Sequence, residues 1–256
     1  LGNPADYVPV NYGQPPPDVT GREVYILDFS YKRPIMEALA AQAETLVVLD
    51  HHKTAAAELD GFHSTNSARF DTITYGAGDT YCIFDIGKSG GRLAWEFFHP
   101  DGPAPWLVDY TEDRDLWRWK LEESREVNAC LASWPRTFHE WNLLSPDSTA
   151  IVHFAEQGAA ILRYQAQVVD AHVQHAREIE MDGYKILSLN ATTMISEIGE
   201  RLAEGRPFSA TYLIRDDGKR VWSLRSRGEW GIDVSEIARK HGGGGHPQAA
   251  GFEEEP

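Results

Sequence analysis

The first half of this chain is predicted to be α/β with a parallel sheet, joined by a long helix to a smaller α+β domain. Three observations predict it. Two short apolar runs, Val24-Tyr25-Ile26-Leu27 and Leu46-Val47-Val48-Leu49, flank a helical pattern, and each ends in Asp. Continuous apolar runs of that length are the pattern of strands buried on both faces. A Pro-free, Ala- and Gln-rich stretch from 148 to 179 is predicted to be one long helix, weakened only by Gly158. Beyond Gly183 the period changes to the two-residue alternation of strands punctuated by turn signals.

In chain order, Tyr7-Val8-Pro9-Val10 is expected to be a short edge strand, followed by a turn-forming tract from Gly13 to Asp18. The strand ending at Asp28 leads into a helix over residues 34–43, with Pro34 in its first turn where it is tolerated. The strand ending at Asp50 follows. Strand, helix and strand make a βαβ unit, which places Asp28 and Asp50 at the same edge of one parallel sheet. Open α/β sheets bind ligands at that edge.

Residues 53–80 are expected to be loop, with a short strand near Tyr81-Cys82-Ile83-Phe84. A helix beginning after Ser89-Gly90 offers free N–H groups that favour an anion. Residues 107–120 are dense in acids, with Asp109, Glu112, Asp113 and Asp115 beside Trp117 and Trp119. Short helices are expected over 124–133 and 137–143. In the second half, a strand over 184–189 and a helix from Ile195 to Ala203 precede two strands, 211–215 and 220–225. The latter flank Asp216-Asp217-Gly218-Lys219, a hairpin signal. Asp233 and Glu236 form a capping box for a short helix. The expected domains are 1–148, a connecting helix over 149–179, and 180–256.

Composition narrows the function. A hydrophobic content of 42% allows each unit a core, and the net charge of -15 argues against broad binding to duplex DNA, which needs phosphates neutralised by Lys and Arg. A locally held short or single-stranded nucleotide remains compatible with that charge. Only Cys82 and Cys130 are present, which fits a reducing cytoplasm rather than a disulfide scaffold. No apolar run approaches the roughly 18 residues of a membrane span, so no membrane partner is expected.

Two motifs carry chemistry. Asp50-His51-His52 at a strand end offers one carboxylate and two imidazoles, a donor set suited to Mn, Zn or Fe. Gly242-Gly243-Gly244-Gly245-His246 is fenced by the capped helix and by Pro247-Gln248-Ala249-Ala250-Gly251-Phe252. Successive glycine N–H groups can form a nest for phosphate oxygens, and a ligand-binding rather than a packing role is expected for the run.

An Asp-ended strand, a second strand ending Asp-His-His, a later Asp cluster, a long helix and a terminal Gly-Gly-Gly-Gly-His-Pro-Gln-Ala-Ala-Gly-Phe together resemble the DHH phosphoesterase superfamily with its DHH-associated C-terminal domain. RecJ-like exonucleases and NrnA-type oligoribonucleases are of this kind. The resemblance implies a hydrolase using two divalent ions, Mn²⁺ above all, with Mg²⁺ or another divalent metal possible. It implies that residues 1–148 are the metal-binding catalytic DHH domain and 180–256 the substrate-binding domain. Asp28 would bridge the metals, His51 would ligate one of them, and Asp113 would complete that shell, with Asp115 as the alternative. His52 would face the substrate phosphate, and Asp50 would orient a histidine; both are expected in the catalytic set. Gly243, Gly244, Gly245 and His246 would hold a phosphate or terminal nucleotide, with Arg225 as cationic partner. The implied substrates are short oligonucleotides or cyclic dinucleotides. The alternatives are a phosphomonoesterase on a small nucleotide bisphosphate and a catalytically impaired nucleotide-binding module. The family's His-x-Asp-x-Asp-Gly-type motif does not occur ahead of Asp28, so the chain is expected to enter the family pattern after its first βα unit.

Overall fold

A computed structural model describes residues 5–11, 13–62, 72–75, 78–144 and 148–255. Strand β1 (Glu23–Leu27), helix α1 (Arg33–Gln42) and strand β2 (Thr45–Asp50) form the expected parallel βαβ unit, in register from Glu23 opposite Thr45 to Leu27 opposite Leu49. Strands β3 (Thr72–Tyr75) and β4 (Gly78–Phe84) complete a four-stranded sheet in the order β1-β2-β4-β3, with β4 parallel to β2 and β3 antiparallel at the edge. The central strand β2 is buried from Leu46 to Asp50, as a two-faced apolar run should be. The similar run in β1 is not: β1 is an edge strand, and Tyr25 and Leu27 stay exposed. An apolar run does not distinguish a central position from an edge.

Three local expectations are corrected. Residues 7–10 form no strand, and Tyr7 instead lays its ring on Phe138. The loop expected over 53–80 begins with helix α2 (Lys53–Glu58), and residues 63–71 and 76–77 of it lie outside the described residues. The long helix α7 (Ala150–Val173) ends before 179, because a further strand begins at Arg177.

Between β4 and α7 the chain makes four helices: α3 (Gly90–Phe98), α4 (Trp106–Asp115), α5 (Ser124–Ser133) and α6 (Phe138–Leu144). Helices α4, α5 and α7 share a core of Trp106, Tyr110, Val127, Cys130 and Phe154. Gly158 belongs to this packing. A Cβ there would collide with the Glu126 carbonyl of α5, so the missing side chain is what lets α5 and α7 meet. Gly158→Ala is expected to destabilise the protein by about 1–3 kcal/mol through overpacking. A chemical-denaturation midpoint equal to the parent's would contradict this crossing.

The second half builds a six-stranded sheet in the order β5-β6-β7-β8-β10-β9. It comprises β5 (Arg177–Met181), β6 (Tyr184–Asn190), α8 (Ile195–Leu202), β7 (Ser209–Ile214), β8 (Arg220–Arg225), α9 (Val234–Lys240), β9 (Gly244–His246) and β10 (Ala249–Glu254). Ile186, Phe208, Trp222, Leu224, Val234 and Phe252 lie in its core. Asp182 and Gly183 turn β5 into β6 with φ of 50° and 81°. Two left-handed residues match the twist of a tight hairpin, and Asp-Gly is the pair that tolerates them. Asp233 caps α9 by accepting the Ser235 N–H at 2.9 Å, but Glu236 does not close the expected box: its carboxylate pairs with Arg239 instead. Among the described residues, no helix is long and apolar enough to cross a membrane.

Candidate active site

The carboxyl ends of β1 and β2 bring Asp28, Asp50, His51 and His52 together. Asp28 continues the ladder by donating its N–H to the Leu49 carbonyl at 2.8 Å, then turns with φ of 58°. Asp is among the few residues that adopt this region readily. Gly90, at the start of α3, has no side chain because a Cβ there would occupy the place of the Asp28 carboxylate. The Asp28 carboxylate lies 3.0 Å from Nε2 of His51, and Asp115 approaches the same nitrogen at 3.4 Å. The His51 ring is buried, and its Nδ1 has no partner among the described residues.

The acid that joins Asp28 at His51 is Asp115, not Asp113. The Asp113 carboxylate is turned inward and accepts the backbone N–H groups of Lys120 and Leu121 at 3.0–3.2 Å. It thereby ties down the turn after α4, where Trp117, Trp119 and Glu123 all have positive φ. Burial alone would raise the Asp113 carboxyl, but the hydrogen bonds it receives hold it below the usual carboxylate range. Two residues on, Asp115 ends α4 and faces His51. The other acids of the cluster are spent on cations, Asp109 on Arg92 and Glu112 on both Arg92 and Arg118. Glu112 also accepts the Ser89 N–H at 3.3 Å, so the anion expected at the start of α3 is the protein's own.

Asp28, His51 and Asp115 present one donor atom each within 4.8 Å of one another. Burial pushes the Asp115 carboxyl up, the His51 imidazole opposes it, and the Asp28 carboxylate adds to it. Two carboxylates converging on one imidazole nitrogen are an arrangement that a divalent cation relieves, and the mixed O and N set is one that Mn²⁺ accepts. The donor set therefore fits a metal.

Asp50 stands behind this cluster. It is fully buried and accepts from the Ser30 hydroxyl at 2.6 Å, the His51 N–H at 2.7 Å and the His52 N–H at 3.3 Å. Its Oδ1 also lies 2.7 Å from Nδ1 of His52. Its oxygens are thus engaged by Ser30, His51 and His52, although one of them also lies within 4.8 Å of donor atoms of Asp28 and His52. Asp50 holds the His52 ring so that Nε2 is the free nitrogen.

The second sheet closes over this edge. His246 of β9 stacks on His52 with ring centroids 4.7 Å apart and lies 4.6 Å from the His51 ring. Burial, with the two neighbouring histidines, pushes the His246 imidazole down to about 4. At neutral pH it is an uncharged group.

The glycine run is explained by close approach, contrary to the expected nest. Gly243 packs against the Gly251 carbonyl and Phe252, and Gly244 against Thr54 of α2, with no room for a Cβ at either. Gly242 and Gly243 donate their N–H groups to the carbonyls of Arg239 and Ala238, and Gly245 donates to the Thr54 hydroxyl at 3.0 Å. Those N–H groups are not free for a phosphate. What the run does is let β9 lie against α2 and carry His246 to His52.

A cleft of about 890 Å³ runs between the two sheets, with His52, Thr54 and Tyr31 on one wall and Arg225, Phe252 and His246 on the other. Arg225 donates to the Leu224 carbonyl and the Ser196 hydroxyl, each at 2.8 Å, and makes no carboxylate ion pair among the described residues. Burial lowers its pKa and Glu197 opposes this, but a guanidinium stays charged at neutral pH. It is a partly desolvated cation facing a cleft, which suits a phosphate. Ser30, Lys53 and Thr54 were not legible as site residues. Their one signal is adjacency, Ser30 two residues after Asp28, and Lys53-Thr54 directly after His52.

These features define an α/β unit with an acid–imidazole cluster at its strand ends, covered by a second unit that delivers a histidine and an arginine. Residues 186–255 match the DHHA1 domain. A 41% identical match over 63 residues links the chain to the oligoribonuclease NrnB of Bacillus subtilis (strain 168), covering 25% of this chain and 16% of that protein. With the Asp-His-His motif of the chain's first half, these matches support membership of the DHH superfamily. The chain is also 29% identical over 243 residues to the uncharacterized protein R106 of Acanthamoeba polyphaga mimivirus, covering 91% of this chain and 53% of that one. The chain thus spans about half the length of that relative and a smaller part of NrnB. A pGpG-specific phosphodiesterase, PggH of Vibrio cholerae, aligns over 92% of each chain at 12% identity and a TM-score of 0.36, a score too low to establish a common fold.

Proposed function

We propose that the protein is a divalent-metal-dependent phosphoesterase that hydrolyses phosphodiester bonds in short oligonucleotides or cyclic dinucleotides. One observation carries the reading: the His51 Nε2 lies between the Asp28 and Asp115 carboxylates, beside His52, which itself lines a cleft whose far wall holds Arg225. The membership of NrnB in the same superfamily supports the substrate class. In this reading residues 1–148 are the catalytic part and 180–256 the substrate-holding part, joined by residues 149–179. Asp28, His51 and Asp115 hold a divalent ion, with Mn²⁺ the best match to the donors. A bound divalent ion supplies Lewis acidity toward the phosphoryl oxygens and the attacking water.

The chain's own residues do the rest. Arg225 receives a phosphate across the cleft. His52 delivers a proton from Nε2 to the departing ester oxygen, while Asp50 holds Nδ1 and supports the ring's positive charge. His246, neutral and stacked on His52, keeps water from that face of the ring. The test is a panel of dinucleotides, longer oligoribonucleotides, a cyclic dinucleotide and a nucleoside 3′,5′-bisphosphate, each incubated with Mn²⁺ and resolved by chromatography. Cleavage of the diesters is expected. Turnover of the bisphosphate alone would make the protein a phosphomonoesterase, and binding without turnover would make it a nucleotide-binding module. Arg225→Met is expected to weaken substrate binding by about tenfold or more, as loss of a charge-assisted contact does.

A further inference from the structure

We infer that Lys53 is a positioning residue: with Asp233 it forms a latch that holds the second sheet closed over the first and sets His246 against His52. Lys53 Nζ lies 2.5 Å from Asp233 Oδ2 and 3.7 Å from Glu236, across the boundary between the two halves. Both ends of the pair are fixed. Lys53 is the first residue of α2, and its neighbour His52 is held by Asp50. Asp233 caps α9: Oδ1 accepts the Ser235 N–H at 2.9 Å, which leaves Oδ2 directed at Lys53. Helix α9 then leads through Gly242 and Gly243 into β9 and His246.

The contact is therefore three successive residues deep. His52 stacks on His246, Lys53 pairs with Asp233, and Thr54 accepts the Gly245 N–H. Each tie joins α2 or its cap to the second half, at β9 or at the cap of α9, and each lies on the wall of the cleft or beside it. Opening the cleft for a substrate must break the Lys53–Asp233 pair and part His246 from His52 together. Closing it restores both. An ion pair of this kind is partly exposed, with side chains 41% and 27% accessible, so it is strong enough to bias the closed form and weak enough to release. The catalytic consequence rests on the hydrolytic reading above; the mechanical one does not.

The test separates the two. Asp60 and Asp216 are exposed on opposite halves, and Cys82 and Cys130 are buried, so Asp60→Cys with Asp216→Cys gives two label sites for pulsed electron paramagnetic resonance. Lys53→Met and Asp233→Asn are each expected to lengthen or broaden the interlabel distance distribution, and Lys53→Arg to restore it. Asn keeps the helix cap, so Asp233→Asn removes the charge alone. With a hydrolysed substrate, both variants should raise KM by about fivefold with a smaller change in kcat, as expected for a partly exposed pair. The double variant should lose no more than either single one. A Lys53→Met distribution identical to the parent's would overturn the latch, whether or not hydrolysis is observed. Failure of hydrolysis in every variant, with the distances shifted, would overturn only the proposed function.

Discussion

Asp115→Asn is expected to lower Mn²⁺ affinity and hydrolysis by about a hundredfold or more. Loss of an outer-shell partner alone costs about 10–100-fold, and removal of a ligand carboxylate costs more. The companion variant makes the result specific. Asp113→Asn, two residues away, is expected to leave Mn²⁺ affinity near that of the parent and to lower folding stability by about 1–3 kcal/mol, because it breaks the carboxylate's hold on the Lys120 and Leu121 N–H groups. Titration calorimetry with Mn²⁺ and chemical denaturation read the two effects separately. The opposite pattern, metal binding lost at Asp113 and kept at Asp115, would refute the assignment of the acids.

His52→Ala is expected to reduce kcat by about 10²–10⁴-fold, the range of a lost general acid. Mn²⁺ affinity should stay close to the parent's, because the metal donors proposed above are Asp28, His51 and Asp115. Asp50→Asn should act through His52 and cost less, about 10–100-fold, as supporting residues do. The amide keeps the volume and the bond to Ser30 but no longer attracts the Nδ1 proton of His52. Comparable loss of metal in His52→Ala would show that His52 is a ligand and would remove the proton-delivery role proposed for it.

Particular residues show how far the sequence could be read. The β1-α1-β2 unit was legible because two apolar runs and an intervening helical period are local patterns, and a parallel pairing follows from the length of the crossover. The hairpin over Asp216–Lys219 and the second one at Asp182-Gly183 both carry turn chemistry. The second was hidden only because the helical composition of α7 runs on without a breaker into β5. Asp113 and Asp115 were not separable. Both lie in one acid-rich stretch, and which carboxylate faces His51 depends on where α4 ends and how the following turn folds back on it. The glycine run was recognised, but not for its physical reason. A string of glycines is equally compatible with a phosphate nest and with backbone packed on backbone, and the choice depends on α2, nearly two hundred residues away.

The sequence by itself determined the superfamily, the α/β class of the first half, and that Asp28, His51 and His52 stand at one sheet edge, because these depend on short-range periodicity and on motif identity. Only the tertiary structure decided that β1 is an edge strand, that Asp115 rather than Asp113 joins the His51 cluster, that Asp50 is engaged by Ser30, His51 and His52, and that His246 is set against His52 from the other half. The edge position of β1, the choice of Asp115 and the seating of His246 depend on contacts between segments far apart in the chain, and the load on Asp50 includes Ser30, so no local pattern encodes them.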